Sequence, residues 1–312
     1  MIGSDDLRFF ATIALSSSLA SAARTLGVTA PAVTQRLQHL EHRVRLRLVD
    51  RSHRRLVLTE EGRLMAEQAQ RILGDLESLS DLLRLRRGEV SGNLKLVAPL
   101  GFGRRYVAPV AARFRLLHPG VTLSLILTDR PWQQQEEAWD LMVHVGELRD
   151  SSLLMRHLAP NERVVCAAPA YLARAGTPLA PDDLRAHDCI ALRENEEDVT
   201  LWRFGSADGE PRANIRIEPV LSSNDGDAVR QWALEGAGIV LRSEWDVADE
   251  LRAGRLVRLL PDWRPRPADV VALLPQRQER MARTRHFLAM LAASLAPAPW
   301  RFHDRDAPAT MT

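Results

Sequence analysis

The stretch Ala20-Ser21-Ala22-Ala23-Arg24-Thr25-Leu26-Gly27-Val28-Thr29-Ala30-Pro31-Ala32-Val33-Thr34-Gln35-Arg36-Leu37-Gln38-His39-Leu40-Glu41, running on to Leu56-Val57-Leu58-Thr59-Glu60-Glu61-Gly62, decides how this chain folds at its N-terminal end. It spells a short helix, a glycine turn, a second helix dense in hydrogen-bonding side chains, and two short strands joined by arginine-rich residues. Leu19, Ala22, Ala23 and Leu26 recur at helical spacing, and Ser18 precedes them as an N-cap. Gly27 stands just past Leu26, where helices commonly end at positive φ. Thr29 is the N-cap of the second helix, and Pro31 fits its first turn because the missing N–H has no helical partner there. Val33, Leu37 and Leu40 form the inward stripe. Ala30, Thr34, Gln35, Arg36 and Gln38 lie on the opposite face. This is the layout of a winged helix-turn-helix, whose second helix turns its N-terminal part to base edges in the major groove of duplex DNA. Gln suits adenine, Arg suits guanine, and Thr can offer its hydroxyl or its methyl.

Charge points the same way locally. The whole chain carries only +2, which alone says little about nucleic acid. From Arg24 to Arg55, however, eight arginines stand against Glu41 and Asp50. Lys95 is the only lysine, so arginine is this chain's general cation and a solvated charged face is the plainer alternative. The coincidence with a helix-turn-helix favours phosphate binding. The candidate DNA contacts are therefore Ser18, Thr29, Ala30, Pro31, Thr34, Gln35, Arg36 and Gln38, with Arg51, Arg54 and Arg55 of the wing.

Thr59 to Arg86 reads as one helix about 40 Å long. Met65, Ala69, Ile72, Leu76, Leu79 and Leu83 recur at alternating steps of four and three, a heptad seam. A helix of that length beside a small domain has too little of its own chain to cover the seam, so a second copy is the expected partner. Two recognition helices one DNA turn apart would then read an inverted repeat. Arg86 to Asn93 is polar and glycine-bearing, and it is the expected hinge to the next domain.

Beyond the hinge, strands and helices alternate. Strands are expected over 94–98, 121–127, 141–145, 163–167, 189–192, 238–241 and 270–274. Helices are expected over 103–117, 169–174, 225–235, 243–253 and 279–295. Such alternation implies βαβ units and a mostly parallel sheet. No apolar run is long enough to span a bilayer, and the acidic start Met-Ile-Gly-Ser-Asp-Asp is unlike a secretory signal. Cys166 and Cys189 lack a metal-ligand spacing and sit in apolar contexts, as buried free thiols do.

The helix-turn-helix together with Leu58-Thr59-Glu60-Glu61-Gly62 resembles the LysR-type transcriptional regulators, and the resemblance extends over residues 4–296. It implies a winged helix-turn-helix domain (1–60), a linker or dimerisation helix and hinge (59–90), and an effector-binding domain (91–300). That last domain would comprise two α/β subdomains of the periplasmic-binding-protein type, 91–161 with 268–296 and 162–267. The implied function is sequence-specific transcription regulation controlled by a small molecule in the cleft between the subdomains. The implied partners are double-stranded DNA, further copies of the chain as a dimer of dimers, a small-molecule effector and RNA polymerase. No cofactor, metal or membrane is implied, and the expected location is the cytoplasm. Some relatives use a reactive cysteine pair in the distal domain, which leaves a redox role for Cys166 and Cys189 open. Two positions depart from the family pattern: Ala30 stands where Gln is frequent, and Pro99 where Ser or Thr is.

Open α/β sheets bind ligands beyond the carboxyl ends of their strands. Two such places stand out, Pro99-Leu100-Gly101-Phe102-Gly103 and Ser222-Ser223-Asn224-Asp225-Gly226. Each leads into a helix N-terminus, which favours an anion. Thr128, Asp129 and His144 lie at the ends of neighbouring strands, and Trp202 and Phe204 would supply an apolar wall. The plainer alternatives are that Gly101 and Gly103 satisfy a turn, Ser223 and Asn224 cap a helix, and Trp202 and His144 are packing residues. The expected effector is a small organic acid, although Asp129 opposes one. Neither a Ser/His/Asp order nor a phosphate loop points to an enzyme, and Gly101-x-Gly103 without a third glycine is too weak for a dinucleotide site. A solute-binding protein would share the distal architecture but has no use for a helix-turn-helix, and an architectural DNA protein needs no cleft. The tail from 297 is expected to be disordered.

Overall fold

In the computed structural model, residues 2–50, 56–85, 89–131, 139–146, 153–193, 199–206, 213–266 and 268–301 are described. The chain divides into two units, Met1–Gly88 and Glu89–Thr312.

The first unit opens with α1 (Ser4–Ala14), α2 (Leu19–Leu26) and α3 (Ala30–Val44). Ser18 Oγ accepts from the Ser21 amide at 3.1 Å, and Gly27 ends α2 at φ 66°. Thr29 Oγ1 accepts from the Ala32 amide at 3.4 Å, with Pro31 in the first turn of α3. Val33, Leu37 and Leu40 are buried against Phe9, Phe10, Ile13, Ala22 and Ala23. Burying each large aliphatic side chain there contributes roughly 1.5–3 kcal/mol. The strands β1 (Val49–Asp50) and β2 (Val57–Leu58) pair antiparallel as the stem of a wing.

Two links tie the wing to the helices, the first of them buried, and sequence patterning showed neither. Glu41 Oε1, on the inward side of α3, accepts from the amides of Leu48 at 2.8 Å and Val49 at 3.2 Å. Thr59 Oγ1 donates to the Arg47 carbonyl at 2.7 Å and accepts from the Gly62 amide at 3.0 Å. The motif Thr-Glu-x-Gly is thus a cap and a close approach together. Thr59 starts α4 (Glu60–Leu85), and Gly62 lets that helix pass the Leu48 carbonyl. Ala66 and Ala69 are buried near the start of α4, which packs on α1. Further along, Ile72, Leu76, Leu79 and Leu83 are all exposed.

The second unit holds two five-stranded sheets and a small third one. The first sheet has the order β4-β3-β5-β15-β6, from β3 (Ser91–Ala98), β4 (Gly120–Leu127), β5 (Leu141–Val145), β6 (Leu154–Ala159) and β15 (Val270–Leu274). The second has the order β11-β8-β12-β7-β13, from β7 (Arg163–Ala167), β8 (Cys189–Leu192), β11 (Pro219–Ser223), β12 (Ile239–Ser243) and β13 (Val257–Leu259). In each sheet four strands share one direction and one is reversed, β15 in the first sheet and β7 in the second, so two pairings are parallel and two antiparallel. The expectation of mostly parallel sheets holds in strand direction, and the reversed strands β7 and β15 are those by which the chain enters each sheet from the other, a connection that strand-helix alternation does not reveal. The chain passes from the first sheet to the second between Ala159 and Arg163. It returns between β14 (Trp263–Pro265) and β15. The third sheet, β10-β9-β14, joins β9 (Leu201–Ser206) and β10 (Ala213–Arg216) to β14, all antiparallel.

The helices that cover these sheets include α5 (Leu100–Phe102), α6 (Ala108–Leu117), α7 (Pro169–Ala175), α8 (Gly226–Leu234), α9 (Glu244–Arg252) and α10 (Ala282–Ser294). One π-helical turn, Gly103–Val107, joins α5 to α6. The tail expectation is corrected in part. Trp300 is 1% exposed, its Nε1 donates to the Pro160 carbonyl at 3.1 Å, and its ring lies edge-on to Phe102 and Tyr106. A proline- and alanine-rich stretch hides one large aromatic anchor. Residues 302–312 lie outside the described residues.

Candidate nucleic-acid interface and ligand cleft

On α3 the outward face centres on Gln35, flanked by Pro31, Gln38, His39 and His42, all exposed. Sequence reasoning missed His39 and His42, whose only signal was their spacing of four and seven from Gln35. Ser18 and Thr29 serve as caps, and Ala30 is half-buried against the core. Thr34 is half-buried too, and its Oγ1 donates to the Ala30 carbonyl at 3.0 Å. Arg36 turns toward α1. Its Nη2 donates to the Asp5 carbonyl at 3.0 Å, and its guanidinium lies 4.4 Å from the centre of the Phe9 ring. Arg43 pairs in the same direction with Asp6 at 2.9 Å. Burial pushes the Asp6 carboxyl up, but the Gly3 amide and Arg43 outweigh it and hold the group below its ordinary value. Arg51, Arg54 and Arg55 lie outside the described residues.

In the second unit the two predicted loops face each other. Asn224 Nδ2 donates to Asp129 at 2.9 Å. Ser223 Oγ accepts from the Asp225 amide, and Asp225 caps α8 through the Ala228 amide, both at 3.0 Å. Thr128 Oγ1 accepts from the Arg130 amide at 3.0 Å. Pro99 precedes α5, Leu100 is half-buried, and Phe102 is buried against Trp245 with ring centres 5.3 Å apart. The glycines have packing reasons. A Cβ on Gly103 would meet Leu127 at 2.3 Å, and one on Gly101 would meet the Trp245 ring at 3.0 Å.

Three expected contacts are corrected. Trp202 and Phe204 are 3% and 2% exposed and belong to the core with Tyr171, Leu184 and Ile215. On a strand, alternate side chains face opposite sides, and Trp202 points to the side the sheet covers. His144 is fully buried within β5, where it pairs with Val271, and offers no exposed surface to a ligand.

The structure adds residues that sequence reasoning did not single out. Arg104, on the π-helical turn, pairs with Asp227 and lies 3.8 Å from Asp225, both at the start of α8. Arg105 pairs with Asp249 of α9. Burial pushes the Asp249 carboxyl up, but Arg105 and Arg252 more than offset this and hold it below its ordinary value. Tyr106 Oη donates to the Trp245 carbonyl at 3.3 Å. Helices of the first lobe are thereby latched to α8 and α9 of the second. The signal was there in Arg104-Arg105-Tyr106 directly after Gly103, and in Asp225-Gly226-Asp227. Asp129, Asp225 and Asp227 on this rim are met by Arg130, Arg104 and Arg230.

Cys166 and Cys189 are both buried free thiols. Burial pushes each up to about 12. The thiolate needed for redox chemistry is therefore scarce at neutral pH.

Comparison with known proteins extends over nearly the whole chain. Residues 4–63 match the family profile "Bacterial regulatory helix-turn-helix protein, lysR family", and residues 87–296 match "LysR substrate binding domain". The chain is 36% identical over 281 residues to the HTH-type transcriptional regulator DmlR of Escherichia coli K12, covering 90% of this chain and 91% of that protein. It is 34% identical over 288 residues to the HTH-type transcriptional activator TtdR of an Escherichia coli strain, covering 92% of each. It is also similar to the solved structure of CrgA, a LysR-type transcriptional regulator from Neisseria meningitidis. That match has a TM-score of 0.59 and 29% identity, and covers 95% of this chain and 99% of the other.

Proposed function

This chain belongs to the LysR-type transcriptional regulators, DNA-binding proteins with an effector-binding domain, and on that premise we propose how its parts divide the work. Residues 1–60 read an operator through the α3 face centred on Gln35, with wing arginines on the phosphates. Residues 59–90 pair two subunits along the exposed row Ile72, Leu76, Leu79 and Leu83, and pairs assemble as a dimer of dimers. Residues 91–300 sense a small organic acid between the loops 99–103 and 222–226. The protein works in the cytoplasm and contacts RNA polymerase from the promoter.

One observation carries the regulatory half of this reading: the latch of Arg104 and Arg105 onto Asp227 and Asp249 across the lobes. These pairs are partly exposed, and exposed ion pairs contribute only about 0–1 kcal/mol each. A ligand with a modest preference for a different lobe spacing can therefore open them. Replacing both arginines by Ala is expected to speed amide hydrogen exchange in α8 and α9 while unfolding stability falls by no more than about 2 kcal/mol. Unchanged exchange in both helices would remove the latch from the account. The DNA half is tested by electrophoretic titration against the chain's own promoter and random DNA; equal affinity for both would overturn it.

A further inference from the structure

Beside the connections between the two large sheets lies a cavity of about 790 Å³, within the second unit. Its wall includes six arginines, Arg163, Arg203, Arg258, Arg264, Arg266 and Arg301. Two acids, Glu162 and Asp269, are the only carboxylates among its lining residues. Both already have partners. Asp269 accepts from the Asn161 amide at 3.1 Å and lies 3.2 Å from His157 Nε2. Glu162 stands 3.8 Å from Arg258 and 3.6 Å from Arg301.

Strand alternation explains how the arginines come together. On β9, Trp202 and Phe204 are buried in the core, so Arg203 and Gly205 face the opposite side. Arg264 of β14 is paired with Gly205, and Asn214 of β10 is paired with Arg203. Arg203 and Arg264 are thus diagonal neighbours on one sheet face, with a glycine between them that leaves the floor open. Like charges so placed repel. Neither makes an ion pair or side-chain hydrogen bond among the described residues.

We propose that this cavity is a binding site for a small multivalent oxyanion, distinct from the cleft between 99–103 and 222–226. The arginine fork matches carboxylate and phosphate oxygens in pairs, and clustered forks favour a ligand with at least two negative charges. The volume suits a metabolite rather than a polymer. The cavity shares no lining residue with the cleft rim. Asn161 to Arg163 and Arg264 to Arg266 contribute from the two connections between the lobes, so a bound anion would touch both. This site is independent of the cleft reading: either can fail alone.

The test is calorimetric titration of the full-length protein with citrate, with inorganic phosphate, and with acetate as a monovalent comparison. Citrate or phosphate is expected to bind more tightly than acetate, and added salt is expected to weaken that binding. The stronger of the two identifies a polycarboxylate or a phosphate-bearing ligand. Arg203→Ala with Arg264→Ala is expected to lower that affinity about tenfold or more. Arg115→Ala with Arg285→Ala, which removes the same charge from the surfaces of α6 and α10, is expected to leave it unchanged. Arg264 is exposed, so Arg264→Ala alone serves if the double variant fails to fold, with a smaller loss expected. Absence of citrate and phosphate binding at millimolar concentrations would overturn the proposal. So would an affinity equal to wild type in the Arg203/Arg264 variants, or an equal loss in the Arg115/Arg285 variant.

Discussion

A Cβ placed on Gly62 would sit 2.0 Å from the carbonyl oxygen of Leu48. That oxygen already accepts from the Thr59 amide at 3.1 Å, so backbone holds it in place. Neither side of this contact can move without pulling the wing stem from α4. Gly62→Ala is therefore expected to destabilise the N-terminal unit by about 1–3 kcal/mol, the usual size of an overpacking cost. Denaturant unfolding of the full chain measures it. A variant with wild-type stability would show that α4 is free to shift.

The recognition helix separates reading from holding. Gln35 is exposed at the centre of the α3 face, and Gln35→Ala is expected to cut the preference for operator over random DNA by roughly 1–3 kcal/mol. Arg36 contacts the Asp5 carbonyl and Phe9, so Arg36→Ala is expected to lower thermal stability as well as affinity. Parallel electrophoretic and melting measurements distinguish the two. A variant at Arg36 that loses operator preference at unchanged melting temperature would return this arginine to the base-reading set.

Ile72 and Leu76 are each 41% exposed on a helix whose polar side needs no cover. Ile72→Asp with Leu76→Asp is expected to break the subunit pair and abolish operator binding, because a carboxylate buried without a partner costs several kcal/mol, about 2–7 for a polar group on common scales. Light scattering reports the mass, and an unchanged mass would mean that the row faces its own subunit.

The two thiols make a pH prediction. Burial raises Cys166 and Cys189 from an ordinary value of 9.0 to about 12. A group raised in the folded state binds more protons there than in the unfolded chain between those values. Its stabilisation is complete below pH 9 and is lost as pH rises toward 12. Ellman's reagent is expected to react with neither thiol in the native protein at pH 8, and with both in denaturant. Fast native labelling would mean that one thiol reaches solvent.

Local chemistry was legible from residue order alone. Ser18, Gly27, Thr29 and Pro31 act on backbone groups within a few residues, and Val33, Leu37 and Leu40 repeat at helical spacing, so caps and core stripe could be read in advance. The motif Thr59 to Gly62 was visible as a motif, but its cause was not, because the Leu48 carbonyl is supplied by a segment fourteen residues away. The cleft was legible as two loops leading into helices. Its latch was not, since Arg104 and Asp227 are 123 residues apart and charge pairs carry no spacing rule across such a separation. Trp202 and His144 were misplaced for a related reason: alternation along a strand distinguishes two faces, and only packing decides which one is covered. The same ambiguity hid the basic cavity, where Arg203 and Arg264 share a face only once β9 has paired with β14. Sequence by itself determined the elements, the inward stripes and the family. Tertiary structure decided which side chains meet across the chain, because long-range pairing and burial depend on the register of strands that no local pattern encodes.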